Sequence, residues 1–194
     1  KKDNIIFEGW RDKKLFQVAM SRIATGYATD LKPLKDKLKT VGLCHAEGVK
    51  AVRNITPLIE LAGRNCLIIS DADKTAKEKQ KEFQEIRGYG TWLRYDEVLA
   101  GAKAETGEDF LTDAAFSAGV TSLKKKYPAL TGDPAKTATG RMDEVRKWLS
   151  QQGIGGDQHK EYLNFLKTSL FDALVPAGVD DSYYDFLKAL TPLV

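Results

Sequence analysis

The 194-residue sequence predicts an α/β protein: an open, mainly parallel sheet flanked by helices, followed by a helical carboxyl-terminal portion. Three observations carry this expectation. Short apolar runs (Ile5-Ile6-Phe7, Val41 to Cys44, Cys66-Leu67-Ile68-Ile69) are bounded by polar residues and glycines, as strands buried on both faces are. Each run is followed by a segment of helical periodicity, and three or four such cycles fit into roughly the first 95 residues. Beyond about residue 105 the strand pattern stops and only helical periodicity remains.

The elements follow in order. Strands are expected at 4–8, 41–45, 66–70 and 90–94, the last introduced by Gly88 and Gly90. After Gly9, the residues Leu15, Phe16, Val18, Ala19 and Ile23 have helical spacing. Val49 to Ala62 reads as a helix that Pro57 must start or kink, because proline lacks the N–H that the helix interior needs. A charged helix is expected from Thr75 to Arg87, and four more at Asp109 to Gly119, Met142 to Gln152, Lys160 to Val175 and Asp181 to Leu190, with a loop at Thr131 to Gly140. Residues 1–111 are read as the catalytic core and 112–194 as a helical portion packed on it or inserted beside it. The first strand opens just after Lys1-Lys2-Asp3-Asn4 with no initiator methionine, the mark of a piece of a longer chain.

Composition excludes several classes. The chain is 42% hydrophobic and 29% charged, and no apolar run approaches the roughly 20 residues that span a bilayer. Cys44 and Cys66 sit inside apolar runs, where a reduced buried thiol is the ordinary state, so a cytoplasmic location is expected. The net charge of +3 does not announce a polyanion partner, yet residues 11–40 carry eight basic side chains against three acids. That stretch is permissive for nucleic acid; a solvated helix face is the competing reading.

In an open parallel sheet the functional residues collect at the carboxyl ends of the strands. Glu8 ends the first strand beside Gly9, and Asp12 follows four residues later at the entrance to a helix, as a cap or a cation ligand. Asp71 and Asp73 end the third strand, and a spacing of two in extended chain points both carboxylates the same way. Four acids on adjacent strand ends repel one another unless a cation compensates, and hard oxygen donors suit Mg²⁺ or Mn²⁺.

These residues resemble the Toprim domain shared by topoisomerases, bacterial primases and the nucleases of the OLD (overcoming lysogenization defect) family. The resemblance lies in a strand ending Phe7-Glu8-Gly9 and a later one ending Ser70-Asp71-Ala72-Asp73, and it covers about residues 4–111. Glu8-Gly9-Trp10-Arg11-Asp12 is similar to the Glu-x-x-x-Asp of OLD-type nucleases, and Glu105-Thr106-Gly107-Glu108-Asp109 to their later acidic element. It implies a DNA endonuclease using two Mg²⁺ or Mn²⁺ ions, with Glu8 as ligand or general base and Asp12, Asp71 and Asp73 as ligands. Glu105 or Glu108 would complete the second site, and Lys167, which resembles the family's late helical lysine, would neutralise the transition state. A solvated lysine is the other reading of Lys167. The family also implies an ATPase domain preceding this unit, a role in DNA processing or phage defence, and possible self-association through that missing region. No Gly-x-x-x-x-Gly-Lys-Ser/Thr pattern lies in this chain.

Two other readings stay open. Asp71-Ala72-Asp73-Lys74-Thr75 satisfies the Asp-x-Asp-x-Thr of haloacid-dehalogenase-like phosphatases, with Asp71 as nucleophile and Asp73 as acid/base, but the only late acidic pair, Asp180-Asp181, follows Pro176-Ala177-Gly178 and not an apolar strand, and Glu8 and Asp12 are left unexplained. A Toprim fold could also bind DNA or a protein without cutting. Trp10 either stacks on a base or covers the sheet edge. Glu47-Gly48-Val49-Lys50 is an ordinary turn or a phosphate contact, and Lys124-Lys125-Lys126 a helix-end charge run. His45 and His159 lack zinc-site neighbours.

Overall fold

A computed structural model describes residues 1–23, 26–99 and 104–194. Four strands, β1 (Asp3–Phe7), β2 (Gly42–His45), β3 (Asn65–Ser70) and β4 (Thr91–Arg94), form one parallel sheet in the order β2-β1-β3-β4. Each boundary falls within one residue of the expected one. The helices are α1 (Trp10–Ile23), α2 (Lys32–Leu38), α3 (Val52–Leu61), α4 (Lys74–Glu85), the short α5 (Tyr95–Val98), α6 (Asp113–Lys126), α7 (Arg141–Gln151), α8 (Gly156–Asp172) and α9 (Asp181–Leu190). No helix among the described residues is long and apolar enough to cross a membrane.

Alternation along the strands divides the interior into two layers. Ile5, Phe7, Leu67 and Ile69 face one side, where they join residues of α1, α2 and α6 to α9; Ile6, Cys66, Ile68 and Trp92 face the other, against α3 and α4. Both faces are covered, which is why these strands read as continuous apolar runs. The carboxyl-terminal helices share the first layer: Val120, Leu123, Val145, Leu166, Leu170, Tyr183 and Phe186 belong to the same cluster as Ile5 and Phe7.

Some elements differ from expectation. α2 lies in the basic stretch that charge alone had marked; Pro33 is preset for a first helical turn, and Leu34 and Leu38, one turn apart, are buried. Val49–Ala51 is a 3-10 turn leading into α3, and Pro57 sits inside that helix. The helix expected from Asp109 begins at Asp113, because Thr112 caps it by accepting from Ala115 N, and a 3-10 turn, Gly107–Phe110, precedes it.

The strand order places β1 beside β3 although β2 separates them in sequence. The chain leaves β1 toward β2 on one side and returns past β1 to β3 on the other, so a crevice opens at their carboxyl ends.

Candidate functional site

Phe7 and Ile69 are register partners, so Glu8 and Asp71 leave the sheet side by side. Glu8 N donates to Ile69 O at 3.0 Å, and the Glu8 carboxylate accepts from Asp71 N at 3.2 Å. Gly9 turns the chain into α1, whose first turn carries Asp12 inward. Asp12 is 8% exposed and accepts from Gly9 N at 3.1 Å and from the Tyr95 hydroxyl at 2.9 Å. Tyr95 is held in turn by edge contacts with Phe110 and Phe186, so α9 helps set the Asp12 rotamer.

The acidic element after β4 closes the site. Gly107 N donates to Asp71 Oδ1 at 3.2 Å, and a Cβ at position 107 would lie 2.9 Å from Asp12 Oδ1. Only glycine allows this segment so near both carboxylates. Asp109 fixes the turn by accepting from Glu105 N, Thr106 N and Arg141 N. That leaves Glu108, 3% exposed, directed at Lys167 of α8, whose Nζ is 3.0 Å from its carboxylate. Glu8, Asp12, Asp71, Glu108 and Lys167, with Trp10, Arg11 and the turn His45–Gly48, line a cleft of about 460 Å³.

The electrostatics are those of crowded acids. Burial, then the charge of Asp12, raises Glu8 from 4.5 to about 7, against the hydrogen bond from Asp71 N. Burial lifts Asp12, with the Tyr95 hydroxyl opposing. Burial followed by Asp12, Glu8 and Glu108 lifts Asp71 well above the ordinary carboxylate range. Glu108 moves the other way: burial would raise it, but the Lys167 ammonium and the hydrogen bonds around it hold it low. Lys167 is held up by Glu108 and Asp71 in spite of its own burial.

Two of the expected ligands do not line this cleft. Asp73 and Glu105 are exposed and line a neighbouring cleft with Lys77 and Arg146. The expectation that Asp71 and Asp73 point the same way is corrected here: the extended chain ends at Ser70, and Asp73 turns to cap α4 by accepting from Ala76 N at 2.8 Å. Asp73 remains near enough to raise Glu8. Asp180, of the late acidic pair, caps α9 through Ser182 N, and neither it nor Asp181 lines the cleft. The basic stretch is not one surface. Arg11 lines the cleft, whereas Lys39 O accepts from Lys1 Nζ at 2.7 Å, at the amino edge of the sheet. Lys50 lies with Arg53 in another groove. Tyr95 was not singled out from sequence, its only signal being its position directly after a strand end; Gly107 and Asp109 were read only as members of the acidic element, and Arg11 only as part of the basic stretch.

No family model, curated protein or solved structure matches this chain. The chemistry is therefore argued from the residues. Among the described residues no three His, Cys, Asp or Glu side chains are already spaced to enclose a metal ion. The donor set nevertheless fits a hard divalent cation in kind: carboxylate oxygens crowd one crevice, and Mg²⁺ keeps several waters and takes only one or two protein carboxylates directly.

Proposed function

We propose that this cleft is the active site of a metal-dependent DNA endonuclease with a Toprim-type centre, the nuclease part of a larger ATPase-linked protein. The observation that carries the reading is the convergence of Glu8, Asp12, Asp71 and Glu108 with one ammonium, Lys167, at the carboxyl edge of β1 and β3. Mutual repulsion among these carboxylates serves no purpose in a scaffold, and a passive DNA-binding surface would favour the opposite charge.

Mg²⁺ or Mn²⁺ ions held by Asp71 and Asp12 would supply Lewis-acid stabilisation of the phosphoryl oxygens and an acidified water. The remaining steps belong to the chain. Glu8, whose carboxylate adjoins Asp71 N at the end of β1, takes the proton of the attacking water. The water oxygen bonds to phosphorus as the bond from phosphorus to the 3′ oxygen breaks, and that oxygen leaves with a proton from solvent. Lys167 Nζ, kept charged by Glu108, donates a hydrogen bond to the phosphoryl oxygens where negative charge builds up. Tyr95 and Gly9 N keep Asp12 from swinging away.

The test is incubation of the protein with supercoiled plasmid in Mg²⁺, Mn²⁺, Ca²⁺ or EDTA. Nicked or linear product is expected with Mg²⁺ or Mn²⁺ and none with EDTA, and Asp71→Ala should lower the rate at least 100-fold. Cutting undiminished in EDTA, or retardation without cutting in any metal, would overturn the proposal. An acid-labile phosphoryl adduct on Asp71 would support the phosphatase instead.

A further inference from the structure

Two residues beside Glu8 are left without a task by that mechanism. Trp10 opens α1 and is 37% exposed, whereas Trp92 and Trp148 are buried. It lines the cleft together with Arg11, whose guanidinium lies 5.0 Å from the indole centroid. Arg11 is clamped from α8: its Nη2 donates to Asn164 Oδ1 at 2.9 Å and to Thr168 Oγ1 at 3.0 Å. Its other donors are idle. Among the described residues Nε is enclosed with no partner, Nη1 makes no hydrogen bond, and no Asp or Glu forms an ion pair with this guanidinium. In a cleft walled by five carboxylates, an arginine aligned by neutral amide and hydroxyl groups keeps its charge for something else. A guanidinium with Nη1 uncommitted, next to a partly exposed indole, matches the phosphate and base of one nucleotide.

We propose that Trp10 and Arg11 form a nucleotide-docking pair at the cleft mouth, Arg11 taking a phosphate oxygen and Trp10 stacking on a base outside the duplex stack. The inference rests on reading the cleft as a nucleic-acid site and narrows its substrate to strands with an unpaired base there. A base inside a duplex already has both faces covered and cannot meet the indole without being extruded, which costs free energy that a single strand is spared.

The test uses a fluorescein-labelled 12-nucleotide oligothymidine and the same strand annealed to its complement, titrated in Ca²⁺ and followed by anisotropy and indole fluorescence. Trp92 and Trp148 are each 5% exposed, so Trp10 is the indole a bound base can quench. The single strand should quench it and bind at least tenfold tighter than the duplex. Trp10→Ala should abolish the quench and weaken single-strand binding about tenfold, with duplex binding within twofold, whereas Trp10→Phe should keep most of the affinity. Arg11→Met should weaken both about tenfold, and Arg11→Lys should not restore them, since one ammonium cannot hold Asn164 and Thr168 and also reach a phosphate. Lys39→Glu, at the opposite edge, should change neither by more than twofold. Tm and circular dichroism of each variant guard against misfolding. Wild-type affinities in Trp10→Ala and Arg11→Met would overturn the docking pair even if the plasmid is cut. Quenching by the single strand without metal-dependent plasmid cutting would sustain the pair and defeat the endonuclease reading.

Discussion

Glu8, Asp12 and Asp71 hold their protons more tightly in the folded chain than in an unfolded one, and the consequence has a definite sign. An acid whose pKa is raised on folding favours the native state at low pH, and that stability is lost as pH rises through the folded value. For Glu8 the window runs from 4.5 to about 7, roughly 3 kcal/mol across it. In EDTA the wild-type Tm should fall over that window, and Glu8→Gln should flatten the fall, with Tm higher than wild type at pH 8 and similar at pH 4. A slope unchanged by the substitution would sink this assignment. The Lys167–Glu108 pair carries the opposite risk, for Glu108 is enclosed and depends on its single cation. Lys167→Met should cost about 2 kcal/mol in urea unfolding at pH 8, less than for a fully buried pair because the lysine side chain is 25% exposed. Most of that cost should vanish in a Glu108→Gln background.

At the scale of elements, α8 matters most, because it brings Lys167, Asn164 and Thr168 to the site and is seated against α6. The seat depends on Gly119, where a Cβ would lie 2.4 Å from Leu170 Cδ2 and 3.3 Å from Leu166 Cδ1. Leu166 and Leu170 are buried and cannot swing out, so Gly119→Ala should destabilise by about 1 kcal/mol, overpacking outweighing the better helix propensity of alanine. Urea midpoints measure this, and a stabilised variant would refute the close approach. The strands were legible within a residue because buried parallel strands leave unbroken apolar runs between glycines and charges. α2 was not, because two leucines in a field of lysines are a weak periodic signal. The start of α6 was misplaced because Gly107 to Phe110 curl into a 3-10 turn held by Asp109, a contact made with Arg141 N far along the chain.

At the scale of the whole molecule, the helices beyond residue 111 share their hydrophobic cluster with the sheet. Phe7, Leu15 and Ile69 share one hydrophobic cluster with Leu123, Leu166 and Phe186. A fragment ending at residue 111 would expose that sheet face, and it should show neither a cooperative thermal transition nor dispersed amide resonances. A truncated chain that unfolds cooperatively with the Tm of the full one would show that the helices are an appendage.

Local pattern decided the sheet class, the strand positions and the presence of acids at two strand ends, because periodicity and burial act over a few residues. Glu8 and Asp71 could be paired from sequence because parallel strands of equal polarity end at the same edge. Which further acids join them was beyond local reach. Asp73, two residues from Asp71, turns away because helix α4 needs a cap, while Glu108 comes inward because Gly107 fits against Asp12. Lys167 reaches the cleft, and the hydroxyl of Tyr95 reaches Asp12, only through the shared core that fixes α8 and α9. Those placements are set by packing between segments as far apart as Arg11 and Thr168, which are 157 residues distant, and no window of sequence contains both.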